Sequence, residues 1–170
     1  MVILVVGNSF DTFTKGAILK SQLAKFSVPS IVAAIATASL AGDGTSGDEL
    51  LNDADHIFQQ LDQGQYGDIW DNSASFIHKT ISKEKFVKET QQARLSLGQV
   101  AKRGWASIVR IRYTNASELP DGLYANLDFA TVLPSGRTVY ELLSFRLEDD
   151  GVWHLTGYVP RQSQNFSAIH

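Results

Sequence analysis

The hydrophobic residues of this chain change their spacing near residue 105, and no other feature constrains the fold as strongly. Before that point, apolar residues recur every three or four positions, which is typical of helices that bury one face. After it, apolar and polar residues alternate, which is typical of strands with one face inward. Helices followed by strands indicate an α+β domain, with the helices packed on one face of an antiparallel sheet.

The first half of this domain predicts three helices whose ends carry recognisable signals. The first follows Thr45–Asp48, which offers polar N-cap candidates, and ends near Gly64. The second covers Tyr66–Ile77 as one element. The third begins after Ser82 and ends at Gly98, so that the three helices follow one another with short connections.

The second half predicts about four antiparallel strands joined by turns. They cover Gly104–Thr114, Leu123–Leu133, Thr138–Leu147 and Val152–Val159. Three helices followed by four strands suit a curved sheet wrapped around the helices, the cone of cystatin-like and nuclear-transport-factor-2-like domains. This is an analogy of fold and says little about function.

Residues 1–41 differ from the rest of the chain in charge. They hold three of the 15 basic residues and one of the 18 acidic residues, which leaves 12 and 17 in residues 42–170, a net charge of −5. No charged residue occurs from Phe26 to Gly42, and the apolar run ends at Ser39-Leu40-Ala41. A basic stretch, a short apolar run and small residues predict a secretory signal cleaved after Ala41, and thus a periplasmic or secreted protein. The run is too short for a comfortable membrane span, and its alternative is a buried Ala-rich helix.

Met1–Thr14 fits no part of a signal sequence, and one explanation is that residues 1–18 come from a misassigned start, with Leu19 as the true initiator. In another, Met1–Val6 is a strand that presents Ser9 as a nucleophile beside Asp53 and His56. That interpretation lacks an oxyanion motif and a scaffold to join the triad. The predicted organisation is a signal peptide over 1–41, a linker over 42–47, one α+β domain over 48–162 and a tail over 163–170.

The composition excludes several classes of chemistry. The chain has no cysteine, which rules out disulfides, thiolate zinc sites, cysteine nucleophiles and a lipid-modified cysteine. Its net charge of −3 argues against broad binding of nucleic acid. The four histidines show no ligand spacing, and no Gly-rich phosphate loop occurs, so we expect neither a metal nor a cofactor.

Five short strings resemble one bacterial family, domain of unknown function 4019, over about residues 48–161. They are Leu61–Tyr66 with Trp70, Arg94–Gly98 with Arg103, Leu119–Tyr124, Glu141–Phe145 and Asp150–Tyr158. The resemblance implies an exported single-domain protein and implies no established activity.

Glu141 is the most informative single residue. It lies on the strand face of Val139, Leu143 and Phe145, so alternation predicts that it points into the core. An unpaired buried charge is costly, and Arg94 is the natural candidate partner, with Tyr66, Tyr158 or the Trp70 indole as alternatives.

Two interpretations remain open for these residues. In one, Glu141 forms a structural ion pair that locks the third helix to the sheet, and Tyr66 and Trp70 are core aromatics. Arg94 then either bonds the last carbonyls of its own helix or pairs with an acid. In the other, a cavity lined by Tyr66, Trp70, Arg94, Glu141 and Tyr158 holds a ligand.

We therefore expect an exported binding module, without catalysis, for a small ligand or an envelope protein. The alternative is a small cone-fold enzyme that uses Glu141 as general acid or base on an apolar substrate. A third possibility is a partner bound at an open sheet edge or face. No nucleic acid, and no membrane span after cleavage, is expected.

Overall fold

The computed structural model of the chain describes residues 46–163. They form four helices, then four strands: α1 (Gly47–Gln63), α2 (Tyr66–Asp71), α3 (Ser75–Thr80), α4 (Lys83–Leu97), β1 (Lys102–Tyr113), β2 (Gly122–Val132), β3 (Thr138–Leu147) and β4 (Trp153–Arg161). The predicted α+β class is confirmed. The signal segment, the alternative start at Leu19, the interpretation built on Ser9 and the tail beyond Ser163 lie outside the described residues.

The first helix begins and ends at the predicted signals. The Ser46 hydroxyl accepts a hydrogen bond from the Asp48 backbone N–H at 3.1 Å, which caps the start of α1. Gly64 ends the helix with φ +74°, a left-handed conformation that costs a glycine little. Because α1 starts at Gly47, the last two residues of the predicted 42–47 linker belong to the helix and its cap.

The predicted second helix is two helices, so the expected count of three is wrong. The chain leaves helical geometry at Asn72–Ala74, between α2 and α3. The Ser73 hydroxyl donates to the Trp70 carbonyl at 2.8 Å, and the Ala74 backbone N–H donates to the Leu155 carbonyl of β4 at 3.0 Å. A backbone donor used by a strand cannot also bond within a helix, and this tertiary contact interrupts the helical pattern.

The sheet is an antiparallel meander of order β1-β2-β3-β4. Its register shifts between Trp105 and Ser107 on β1, and between Ser144 and Phe145 on β3 against β4. Such bulges bend a strand and increase its twist. They also decide which later side chains face the helices.

The core lies between the helices and one face of the sheet. Register places Ala125, Phe145 and Leu155 side by side, and Leu127, Leu143 and Tyr158 in the next row. These residues are buried together with helix residues, among them Leu50, Ala54, Phe58, Leu61, Ile69, Ile77 and Phe86. The Phe58 ring meets Phe129 edge-on at 4.8 Å between centroids, which fixes α1 over β2.

Candidate functional site

Glu141 points into the core, as alternation along β3 predicts. Register places it between Phe129 of β2 and Pro160 of β4, on the face that packs against the helices. Its side chain is 0 % exposed. A carboxylate in this position must be fully hydrogen-bonded or the fold loses stability.

Three donors from three strands satisfy this carboxylate. Oε1 of Glu141 accepts from Arg103 Nε at 2.7 Å and from the Thr131 hydroxyl at 2.6 Å. Oε2 accepts from the Tyr158 hydroxyl at 2.6 Å. Burial raises the pKa of Tyr158, and the charge of Glu141 raises it further, so the phenol stays protonated and donates.

Arg103 joins this buried carboxylate to a second one nearer the surface. Its Nη1 and Nη2 donate to Asp62 at 2.7 and 3.0 Å, which is the two-pronged geometry that favours arginine. The guanidinium also lies 4.3 Å from the ring centroid of Phe58. Burial lowers the pKa of Arg103, but the bonds to Asp62 and Glu141 raise it above its usual range, so the group stays charged.

Arg94 does not bond to Glu141, so the first candidate partner is wrong, whereas the alternative Tyr158 does donate to it. Its Nε donates to Asp62 at 2.8 Å, and its Nη1 donates to the Gly98 carbonyl just beyond the end of α4. Arg94 therefore caps its own helix and reaches Glu141 only indirectly, through Asp62 and Arg103. The hydrogen bonds from Arg103 and Arg94 lower the pKa of Asp62, although burial opposes that shift.

The structure does not bring Tyr66 and Trp70 to the carboxylate. Tyr66 belongs to the hydrophobic core cluster. The Trp70 indole donates to the Ile81 carbonyl at 3.3 Å and stacks on His78 at 4.2 Å between ring centroids. Trp70 thus holds α2 to the α3–α4 junction, and its polar tip meets backbone rather than a cavity with Glu141.

Sequence reasoning missed three members of this network. They are Asp62, Arg103 and Thr131. Thr131 carried a visible signal, because it is the polar member of an otherwise apolar row on β2. Arg103 carried no such signal beyond its place in a family string, because the sequence of an edge strand does not show which of its side chains point into the core.

The network as a whole is suited to structure rather than to proton transfer. Two arginines and two carboxylates balance in charge, and both oxygens of Glu141 are occupied. A general acid or base must come within hydrogen-bond reach of a substrate. These contacts favour the structural interpretation of Glu141 over the catalytic one.

The two edge strands of the sheet differ in whether other described residues bond to their outer side. At the β4 edge, Leu155 accepts the bond from Ala74, and the His154 ring lies 3.0 Å from the Asn72 carbonyl. At the β1 edge, no described residue pairs with the outer side of the strand. There, Trp105 is 60 % exposed and Val109 46 %.

A cleft of about 270 Å³ lies between the start of α1 and the β3–β4 turn. It is lined by Glu49, Asn52, Asp53, Gly151, Val152 and Trp153. Burial raises the pKa of Asp53, and the neighbouring charge of Glu49 adds to the effect. Nothing in the cleft beyond this acidic pair points to a ligand.

His154 closes one side of this region. Its Nε2 lies 2.9 Å from Asp150 Oδ2, and its Nδ1 faces the Asn72 carbonyl. Burial opposes the charged ring, but the backbone carbonyl and then Asp150 raise the pKa of His154. Two acceptors on two ring nitrogens suit the doubly protonated form.

Within residues 46–163, no three His, Asp or Glu side chains converge as metal ligands. The helices of that same segment include none that is long and apolar enough to cross a membrane.

A sequence model of a protein family, described as "Protein of unknown function (DUF4019)", matches residues 53–158 of the chain. That span contains all five strings on which the resemblance rests, and the resemblance is confirmed. No curated protein and no solved structure matches the chain.

Proposed function

Given that the chain belongs to the DUF4019 family, we propose that it is an exported, non-catalytic module that binds a protein partner of the cell envelope. One observation carries the proposal: the outer edge of β1 presents Trp105 and Val109 at 60 % and 46 % exposure. Exposed aromatic residues on a rigid element are enriched where proteins meet.

The protein partner is favoured over a small ligand because the predicted ligand residues are occupied elsewhere. Glu141 and Tyr158 bond to each other, Arg94 bonds to Asp62, and Trp70 bonds to a backbone carbonyl. The same contacts give no support to an enzyme that uses Glu141.

Export is supported by the sequence of residues 1–41, with its basic stretch, short apolar run and Ala41 terminus. The exported domain is then residues 42–170, with a net charge of −5. Because it contains no cysteine, it depends on its core and on networks such as that of Glu141 rather than on disulfides.

The proposal includes the cystatin-like arrangement, in which the sheet curves around the helices. Its support is the order of four helices and a four-stranded meander, with bulges on two strand pairs that bend the sheet.

A photoreactive amino acid incorporated at Val109 tests the binding site in living cells. A matched variant carries the same group at Gln91, an exposed position of α4. We expect irradiation to produce one adduct of defined mass from position 109 and none from position 91, with the partner identified by mass spectrometry. Equal labelling from both positions, or none from 109, would refute binding at this edge.

N-terminal sequencing of the protein from its host tests export. We expect the chain to begin at Gly42, the residue after the predicted cleavage point. An intact Met1 on the native protein would contradict the exported form.

A further inference from the structure

The free side of β1 is a ready template for another strand. β1 runs for 12 residues and pairs along its whole length with β2, from Lys102 opposite Val132 to Tyr113 opposite Gly122. Its other side meets no strand among the described residues. Long exposed edges are normally blunted or covered, because their unpaired N–H and C=O groups accept foreign strands.

The charge of this edge is opposite to that of the domain. β1 holds four basic residues and no acidic one, whereas residues 42–170 carry a net −5. Arg103 is used inside the network, but Lys102, Arg110 and Arg112 are exposed and form no ion pair with any described residue. Three free cations thus line a strand of an acidic protein.

The bulge on β1 determines which face of the sheet each later side chain occupies. After it, Arg110 lies opposite Ala125 and Arg112 opposite Leu123, on the helix side of the sheet. Val109 and Ile111 lie on the other side. A strand added beside Val109–Arg112 would therefore meet two cations on the helix side and two apolar side chains on the other. Before the bulge, Lys102 lies opposite Val132 on the outer face, and Trp105 lies opposite Phe129 on the helix side.

We infer that the β1 edge binds an extended segment of the partner in which acidic and apolar residues alternate, and that this segment adds to the sheet as a fifth strand. The inference depends on the proposed function and gives the partner its chemistry. Backbone bonds supply the pairing, and alternate side chains supply the selectivity. Self-pairing of two copies is disfavoured, because it would bring the Arg110 and Arg112 side chains of both copies onto one shared edge.

Fluorescence anisotropy with synthetic peptides tests the inference on the protein in the form that its host produces. The probe is a dye-labelled peptide in which glutamate alternates with valine. One control peptide replaces glutamate by lysine, and another contains glutamate alone, which carries the charge without favouring a strand. We expect the first peptide to bind at least about tenfold more tightly than either control.

Protein variants locate the site. The double variant Arg110→Glu, Arg112→Glu should bind the glutamate–valine peptide about tenfold or more weakly than the wild type does, and it should bind the lysine–valine peptide more tightly. The matched control, Lys79→Glu with Lys88→Glu, makes the same charge change on exposed positions of α3 and α4 and should leave binding unchanged. Circular dichroism verifies that both variants are folded.

Several results would overturn the inference. They are no binding of the alternating peptide, equal loss in both charge variants, equal binding of the glutamate-only peptide, or tighter binding of an oligonucleotide. The proposed function can fail or survive separately. If position 109 gives an adduct in cells but no peptide binds, a partner at β1 is supported and its acidic, strand-forming segment is refuted. No adduct and no binding reject both.

Discussion

Replacing Arg103 by methionine should destabilise the domain far more than the same change at Arg94. Arg103→Met removes one of three donors to Glu141, whose side chain is 0 % exposed, and leaves a buried charge without its cation. Breaking a buried pair in this way costs about 3–5 kcal/mol. Because Thr131 and Tyr158 still donate, we expect the lower end, about 3 kcal/mol.

Arg94→Met is the matched control. It removes the bonds to Asp62, whose side chain is 39 % exposed, and to one helix-end carbonyl. Asp62 keeps Arg103 as a partner, and water reaches it. The expected cost is about 1 kcal/mol, typical of an exposed pair and one hydrogen bond.

Urea unfolding followed by tryptophan fluorescence measures both costs, since the chain has three tryptophans. Adding Glu141→Gln to Arg103→Met neutralises the stranded charge and should recover about 1 kcal/mol or more. The same Glu141→Gln change in the wild type, where the cation is present, should instead destabilise. If Arg103→Met costs no more than Arg94→Met, or if the second substitution recovers nothing, the argument from an uncompensated buried charge is wrong.

Three further changes test other parts of the fold. Gly98→Ala should lower the free energy of unfolding by about 1–3 kcal/mol, since φ +74° with ψ −148° suits almost only glycine. Gly64→Ala should lower it by about 1 kcal/mol. The urea midpoint should therefore fall further for Gly98→Ala, and the opposite order would contradict this reasoning. The raised pKa of His154 means that its contribution to stability is present below about pH 6.5 and is lost as pH rises through the folded value. His154→Gln should therefore flatten this fall in stability in urea unfolding at a series of pH values above about 6.5, and an unchanged pH dependence would contradict it. Glu148→Ala removes the acceptor of two bonds from Ser75 at the start of α3 and should cost about 1–3 kcal/mol in thermal or urea unfolding, whereas a neutral result would show that water replaces it.

Most of the secondary structure could be predicted, because its signals are local. The cap at Ser82 and the stop at Gly98 define α4, and Thr138–Leu147 is β3 in both prediction and structure. The inward direction of Glu141 also followed from alternation along its own strand. Each of these depends on residues within a few positions of one another.

The predicted second helix shows where local signals end. Tyr66 to Ile77 has helical spacing throughout, yet the chain breaks at Asn72–Ala74 because β4 takes the Ala74 backbone N–H. No pattern within the segment announces a bond to a residue 81 positions later.

The sequence by itself determined the class of the fold, the ends of most elements and the presence of a buried carboxylate that needs a cation. Only the tertiary structure decided that the cation is Arg103 rather than Arg94, which edge of the sheet residues 46–163 leave unpaired, and which β1 side chains share a face. The pairing joins residues 38 positions apart across two strands, and a one-residue bulge at Trp105–Ser107 moves Arg110 to the helix side. Periodicity specifies each element from its own residues, but register and bulges between elements decide which side chains meet.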